Sequence, residues 1–308
     1  MWASLVRAKS STCCGTSGAW KKISPRGPIW NWTPGGRSAT MILPHDFHFS
    51  QHNLQDYVDC PRRFELRHLL RLEWPAVQSA PVIEQELRME RGTQFHRMVQ
   101  QWLHGIPADL IEQRASDPLL RQWWQSFLQH NPLEEISGEQ RAEFTLSAPF
   151  AGYRLIAKLD VLVTQPGSAA RIFDWKTSEQ RPKPAYLQSR VQSRLYPLIT
   201  VLAGAGMNGG QPWQASQVSL TYWFVQHPTD PEVIPYNAQR FQRDHAFIEG
   251  LIMEIARATE TGDFPLTEDK KRCKFCQYRS LCERGIAAGW LDDVEDIDEL
   301  GAEEALFE

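Results

Sequence analysis

Residues 153–178, YRLIAKLDVLVTQPGSAARIFDWKTS, decide the fold. Two β-prone runs flank the Pro-Gly turn QPGS, which is the pattern of a β-hairpin. Asp160 is the one acid of the first run, and the second run ends in Asp174-Trp175-Lys176. Residues two apart on a strand share a face, so Asp174 and Lys176 project together while Trp175 points to the other side. Regular pairing brings Asp160 across to them. Two carboxylates and an ammonium then converge at the end of an apolar sheet. Carboxylate oxygens are hard ligands suited to Mg²⁺ or Mn²⁺, and a neighbouring lysine can position a metal-bound water. A plain cross-strand ion pair on an exposed edge accounts for the same three residues without any chemistry.

The chain has 308 residues, enough for a sizeable core in one or two domains. Its 42% hydrophobic and 23% charged content is that of an ordinary soluble globular protein. No run of about 18 apolar residues predicts a membrane span. The 12 tryptophans point to a core or groove lined with indole rings. A net charge of −4 argues against a protein that holds nucleic acid by bulk electrostatics. The charge is unevenly spread. Residues 1–40 hold six basic side chains and no acid, and residues 291–308 hold nine acids and no base. The body between them has 27 of the 33 Lys+Arg and 28 of the 37 Asp+Glu, so any cationic track there is local. The candidates are Arg62, Arg63, Arg67 and Arg71, then Arg181, Lys183, Arg190 and Arg194. Solvated helix faces explain these equally well.

Three segments follow from this. Residues 1–45 read as a disordered extension, or as an over-extended start with Met41 the true initiator. Their basic, Ser-containing character faintly resembles a transit peptide, but they lack the apolar stretch of a secretory signal, so a cytoplasmic location is expected. Residues 46–290 form the folded domain. Residues 291–308 are an acidic tail, either solubilising or able to occupy a nucleic-acid path.

Within the domain, Ser50 is placed to cap a helix over 51–58, and Pro61 opens another through Leu70. Residues 81–104 form a long helix in which Gly92 costs about 1 kcal/mol against Ala, so a close contact or kink there is expected. His96 follows one turn later on the same face; a lone helical histidine is more often structural than a ligand. A helix over 109–130 and a strand over 140–147 precede the hairpin, giving an antiparallel meander of three strands. Glu143 on that first strand counts as a supporting acid at most. A helix over 185–203, bent at Pro197, carries Gln192 and Tyr196 on one face. Val218–Val225 is a continuous apolar strand and 238–260 a helix. No phosphate-cradling Gly-x₄-Gly-Lys-Ser/Thr sequence occurs, so no NTPase motor is recognisable.

Residues 271–284 read KRCKFCQYRSLCER, with Cys273, Cys276 and Cys282 spaced C-x₂-C-x₅-C. Three cysteines at this spacing point to a metal centre. Cys60 is the remaining cysteine of the folded body and completes a set of four. Zn²⁺ and a [4Fe–4S] cluster both accept four thiolates, and spacing alone does not choose between them. Either would close a loop of more than 200 residues and clasp the two ends of the domain.

These residues, taken together, resemble the RecB-like branch of the PD-(D/E)XK nuclease superfamily, in particular the iron–sulfur nucleases related to the AddAB-type nuclease domain and the CRISPR-associated adaptation exonuclease. The resemblance runs from about Ser50 to Arg284. It rests on DYVDCPRRFELRHLL, GTQFH (92–96), AKLDVLV, IFDWKTS, QSRLY and CKFCQYRSLC, in that order. It implies an α/β, restriction-endonuclease-like core with a central mixed sheet flanked by helices. It implies that Asp160 bridges metal and phosphate, that Asp174 and His96 ligate metal, and that Lys176 orients the attacking water. Gln192 and Tyr196 would support the site and contact DNA, and Cys60, Cys273, Cys276 and Cys282 would hold a [4Fe–4S] cluster, which favours iron–sulfur over zinc. Two departures stand out: Leu159 replaces the proline of the superfamily's name, and Ala157 stands where a glycine is common.

The expected function is therefore a Mg²⁺- or Mn²⁺-dependent deoxyribonuclease, an exonuclease on single-stranded DNA or DNA ends in repair or related processing. Trp175, Tyr186 and Tyr196 would stack bases, and any helicase would be a separate protein. The rival reading is a non-catalytic nucleic-acid-binding or scaffold subunit with a structural metal site.

Overall fold

A computed structural model of the chain describes residues 42–44, 46–72, 80–274 and 276–287, with the backbone alone for 80–86. The expectations for residues 1–41 and for the acidic tail lie outside the described residues. Leu43 is already packed in the core, so the folded part begins slightly before residue 46.

Strand β1 (His48–Phe49) leads into α1 (Gln51–Asp59). The Ser50 hydroxyl accepts from the Asn53 N–H while the Asn53 side chain accepts from the Ser50 N–H, so both orphan donors of the helix start are satisfied. Cys60 is extended, and Pro61 opens α2 (Pro61–Phe64), which passes into a π-helical turn over Glu65–Leu69. The long helix α3 spans Ala80–Leu103. The single helix expected at 109–130 is two, α4 (Ala108–Arg114) and α5 (Pro118–Gln129). Asp117 caps the Leu119 and Leu120 N–H groups, and Pro118 has no N–H to give a preceding turn.

The meander is β2 (Glu139–Phe150), β3 (Tyr153–Gln165) and β4 (Ala169–Lys176), antiparallel throughout. Gly167 takes φ +75° in the tight turn between β3 and β4. The helix expected over 185–203 is also broken, into α6 (Pro184–Ser189) and α7 (Val191–Ala203). Arg190 is extended between them, turned toward Asp59 at 4.0 Å, and the Val191 N–H donates to Gln55 Oε1 at 2.9 Å. Helix α7 runs on through Pro197. Two 3₁₀ turns precede β5 (Val218–Phe224), β6 (His227–Pro235), α8 (Ala238–Thr261) and α9 (Lys270–Cys273). β6 contains Pro228 and Pro231, which hid it in the sequence; it sits at the sheet edge, where proline is tolerated.

The sheet order is β1-β3-β4-β5-β6, with β2 on β3; β1 and β5 pair in parallel with their neighbours β3 and β4, and the rest are antiparallel. This is the mixed central sheet flanked by helices that the family resemblance implies. One face carries Leu195, Leu198 and Ile199 of α7 and Ile248, Ile252 and Ile255 of α8. The other carries Phe95 and Val99 of α3 and Trp123, Trp124 and Phe127 of α5. Phe95 and Phe127 are fully buried, and burying a side chain of that size stabilises by roughly 1.5–3 kcal/mol.

The long strand β3 changes phase in its middle. Leu155, Ala157 and Leu159 face the α7 side, whereas Val161 and Val163 face the α3 side. Asp160 lies at the change. The strand pairing is in register on both sides of it, with Ala142 opposite Val161 and Phe144 opposite Leu159. Glu143, opposite Asp160, takes φ +51°. An irregularity of this kind re-aims side chains out of the pleat.

Candidate active site

The hairpin and α3 build the first half of the site. Asp160 is one residue past the last paired position, Val161↔Phe173, and so faces Asp174. Its Oδ2 accepts the Trp175 N–H at 2.8 Å, and its Oδ1 lies 3.3 Å from His96 Nδ1. The other ring nitrogen of His96 is 3.1 Å from the Trp175 carbonyl oxygen. Burial pushes the Asp160 carboxyl up, but His96, the Trp175 N–H and Lys176 more than offset this and hold it below the usual carboxylate value.

Glu143 joins this group. Ligand atoms of His96, Glu143 and Asp160 all lie within 4.8 Å of one another, one nitrogen and two carboxylates. Such a donor set suits Mg²⁺ or Mn²⁺. The sequence counts Glu143 as a supporting acid at most; the structure sets it among the candidate ligands. Its partnership with Asp160 follows from the β2–β3 register, which is invisible without knowing the length of the connecting turn. Lys158 Nζ pairs with Glu143 Oε2 at 2.5 Å and fixes it toward the cluster.

Asp174, expected as a ligand beside His96 and Asp160, is not one of the three; it faces Asp160 by register and is held from the α7 side. Lys176 Nζ is 3.0 Å from Asp174 Oδ2 and donates to Gln192 Oε1 at 3.1 Å. Gln192 Nε2 donates to Asp174 Oδ1 at 2.5 Å, and Tyr222 Oη donates to Gln192 Oε1 at 3.3 Å. Lys176 is 2% exposed, with its ammonium 5.3 Å from the Tyr222 ring centroid. Its charge is thus fixed in a dry environment beside the carboxylates, where electrostatic effects are strong. Tyr196 Oη donates to the Lys158 carbonyl at 2.9 Å and so ties α7 to β3 two residues from Asp160.

Some expectations change. Trp175, within the aromatic cluster of the α3 face, and Tyr196, in the core on the α7 side, are 2% and 1% exposed, so neither offers a stacking surface to a base. Much of the candidate cationic track is paired internally: Arg63 with Asp56 and Asp59, Arg67 with Asp56, Arg181 with Asp230 and Glu232, Arg194 with Asp244. Arg62 is paired with Glu65.

Cys60, Cys273, Cys276 and Cys282 line a separate pocket together with Arg63, Arg272 and Arg284. Protein contacts bring its two walls together. Arg272 pairs with Asp59 at 2.8 Å, the Arg62 N–H donates to the Pro265 carbonyl at 3.3 Å, and Tyr278 Oη donates to the Leu72 carbonyl at 2.9 Å. Burial pushes the Cys276 thiol up to about 11 and raises Cys282 as well. Metal binding at these thiols therefore has to release protons.

A family model of the PD-(D/E)XK nuclease superfamily matches residues 48–283. The chain belongs to this superfamily. No curated protein matches it. Among solved structures, one is a candidate exonuclease from Eubacterium rectale, 13% identical with a TM-score of 0.46, over 79% of this chain and 90% of that one. Another is SSO0001, 13% identical with a TM-score of 0.37, over 78% and 87%. PD-(D/E)XK nucleases act on DNA and use divalent metal ions, and the acids described above form a candidate site for one. No helix among the described residues is long and apolar enough to cross a membrane.

In this PD-(D/E)XK chain Gly92 has a specific duty. A Cβ at Gly92 would lie 3.1 Å from Thr177 Oγ1, the residue after Lys176. His96, one turn further along α3, lies 3.1 Å from the Trp175 carbonyl. Gly92→Ala should gain up to about 1 kcal/mol of helix propensity yet lower cleavage by pushing α3 off β4. A melting curve set beside a cleavage assay checks both halves; unchanged cleavage counts against the duty.

Proposed function

We propose that the chain is a divalent-metal-dependent deoxyribonuclease, an exonuclease acting on single-stranded DNA or DNA ends. One observation carries this: His96, Glu143 and Asp160 converge within 4.8 Å, beside an Asp174 that Lys176 and Gln192 hold in place. His96, Glu143 and Asp160 would hold the ion, with Asp174 and the Trp175 carbonyl adjoining. When bound, Mg²⁺ or Mn²⁺ supplies Lewis-acid polarisation of the phosphoryl oxygen and a lowered pKa for water. The chain's own residues do the rest. Lys176 presents a fixed positive charge to the anionic phosphorane. Gln192 holds Asp174 and Lys176 at once and so sets their spacing. His96 and the Trp175 N–H keep Asp160 ionised and ready to ligate.

The test uses purified protein, labelled single-stranded DNA and Mn²⁺, with a chelator control. Cleavage by the wild type that is lost in Asp174→Ala supports the reading. Absence of cleavage, or equal cleavage by the variant, defeats it and favours a binding or scaffold role.

The four thiols sharing one pocket fit a [4Fe–4S] cluster, which is the reading we favour for Cys60, Cys273, Cys276 and Cys282. Its role would be structural, since it lies on the seam between α2 and the 265–284 segment. Protein purified without oxygen is expected to be brown, with a broad absorbance that Cys60→Ser removes. Colourless protein carrying zinc would replace iron–sulfur with zinc.

A further inference from the structure

A second hollow lies between α1, the π-helical turn and β3. Its volume is about 240 Å³. Ile156, Ala157 and Tyr196 line its apolar part, the last two almost wholly buried. His48, His52, His68 and Lys158, with Ser50, Gln51 and Asn53, line the rest, and no Asp or Glu does so among the described residues. The mechanism above uses none of the three histidines.

His52, Asp56 and His68 bring ligand atoms within 4.8 Å of one another, which suggests a cation at first sight. The charges argue otherwise. Asp56 is buried and already carries Arg63 at 2.7 Å and Arg67 at 3.3 Å, while His68 Nε2 lies 2.8 Å from it. A metal there would face two guanidinium groups. Asp56 instead anchors His68 from behind, and the imidazole rings of His52 and His68 stand edge to face at 5.8 Å. An apolar part beside a donor-rich lining without acids matches a nucleotide, whose base needs the first and whose phosphate needs the second.

Position supports the match. Lys158 lines this hollow and pairs with Glu143 of the metal cluster. It is also two residues from Asp160 on β3, about 7 Å along a strand. We propose that the hollow is a nucleotide subsite, which takes the phosphate-bearing nucleotide next to the bond that is cut. It rests on the nuclease reading for the word "cut", but not for the binding.

The test measures binding of a fluorescein-labelled thymidine 20-mer to the full chain in EDTA. His52→Ala and His48→Ala should each weaken binding by about tenfold, the loss expected for a charge-assisted contact. Thymidine 5′-monophosphate should compete better than inorganic phosphate. Melting curves accompany each variant. The His48 side chain is exposed, and the Asn53 amide bonds only its backbone carbonyl, so His48→Ala stays informative if His52→Ala melts low. Weakening of less than twofold in a folded variant overturns the subsite. So does equal competition by inorganic phosphate, or a bound Zn²⁺ that the wild type takes up here and His52→Ala loses. If the wild type cleaves and the variants bind normally, the subsite fails while the nuclease reading stands. If the wild type never cleaves but the variants bind less, the nuclease reading fails and the nucleotide site stands.

Discussion

Asp160→Asn is expected to lower metal-dependent cleavage on the order of a thousandfold, about 4 kcal/mol of transition-state stabilisation, without unfolding the protein. The substitution keeps the volume of the side chain, and an amide oxygen can still accept the Trp175 N–H that Oδ2 accepts now. What it removes is charge. Asp160 is one of the two carboxylates in the cluster with His96, and its ionised form is maintained by His96, the Trp175 N–H and Lys176 against the pull of burial. A neutral amide ligates Mg²⁺ or Mn²⁺ weakly and leaves Glu143 as the one anion of the three. Single-turnover cleavage of labelled DNA across a Mn²⁺ titration is the measurement, with a melting curve to show that the fold survives. A variant within tenfold of the wild type at saturating Mn²⁺ would mean that Asp160 serves the fold and not the chemistry.

The largest expected loss of stability comes from Asp56→Ala, at about 3 kcal/mol, the low end for breaking a buried ion pair because Arg63 retains Asp59. Asp56 is 2% exposed and neutralises Arg63 and Arg67 while bonding His68. Removing it takes from both guanidinium groups the buried carboxylate they share. Urea unfolding reads the loss directly, and a change below 1 kcal/mol would show that water reaches the arginines. The same carboxylate sets an acid limit. Burial raises its pKa, but Arg63, His68, His52 and Arg67 together lower it far below the ordinary 3.8. The folded state thus binds fewer protons there than the unfolded chain. Its contribution is complete above about pH 4 and drains away as the pH falls below that value, and Asp160 adds in the same direction. Melting temperature should hold steady from pH 7 to 5 and fall below pH 4; Asp56→Ala should show a shallower fall.

Much of the site was written in local sequence. The Pro-Gly turn with period-two runs on each side located β3 and β4, and the i, i+2 spacing put Asp174 and Lys176 on one face, where they form an ion pair. Helical spacing put Gln192 and Tyr196 on one side of α7, and both bond toward β3 and β4. What stayed hidden depends on tertiary contacts. Glu143 gains its place from a register set across the sheet and from a left-handed φ that no residue pattern announces. The break at Arg190 comes from contacts with Gln55 and Asp59 more than a hundred positions earlier. Trp175 looked available beside two catalytic candidates, but the opposite face of the strand was already occupied by Phe127 and Trp223.

The seam that joins α1 and α2 to the 265–284 segment has a consequence for biosynthesis. Tyr278 bonds a carbonyl 206 positions upstream, and Arg272 and Pro265 reach back to Asp59 and Arg62. During translation the helices α1 and α2 emerge early and stay without these partners until residues 265–278 have been made. A transcript cut short before the codon for Pro265 still encodes His96, Glu143, Asp160, Asp174 and Lys176, yet its product lacks the stitches that close the fold. Nascent chains should therefore stay open and protease-sensitive until residues 265–278 have left the exit tunnel.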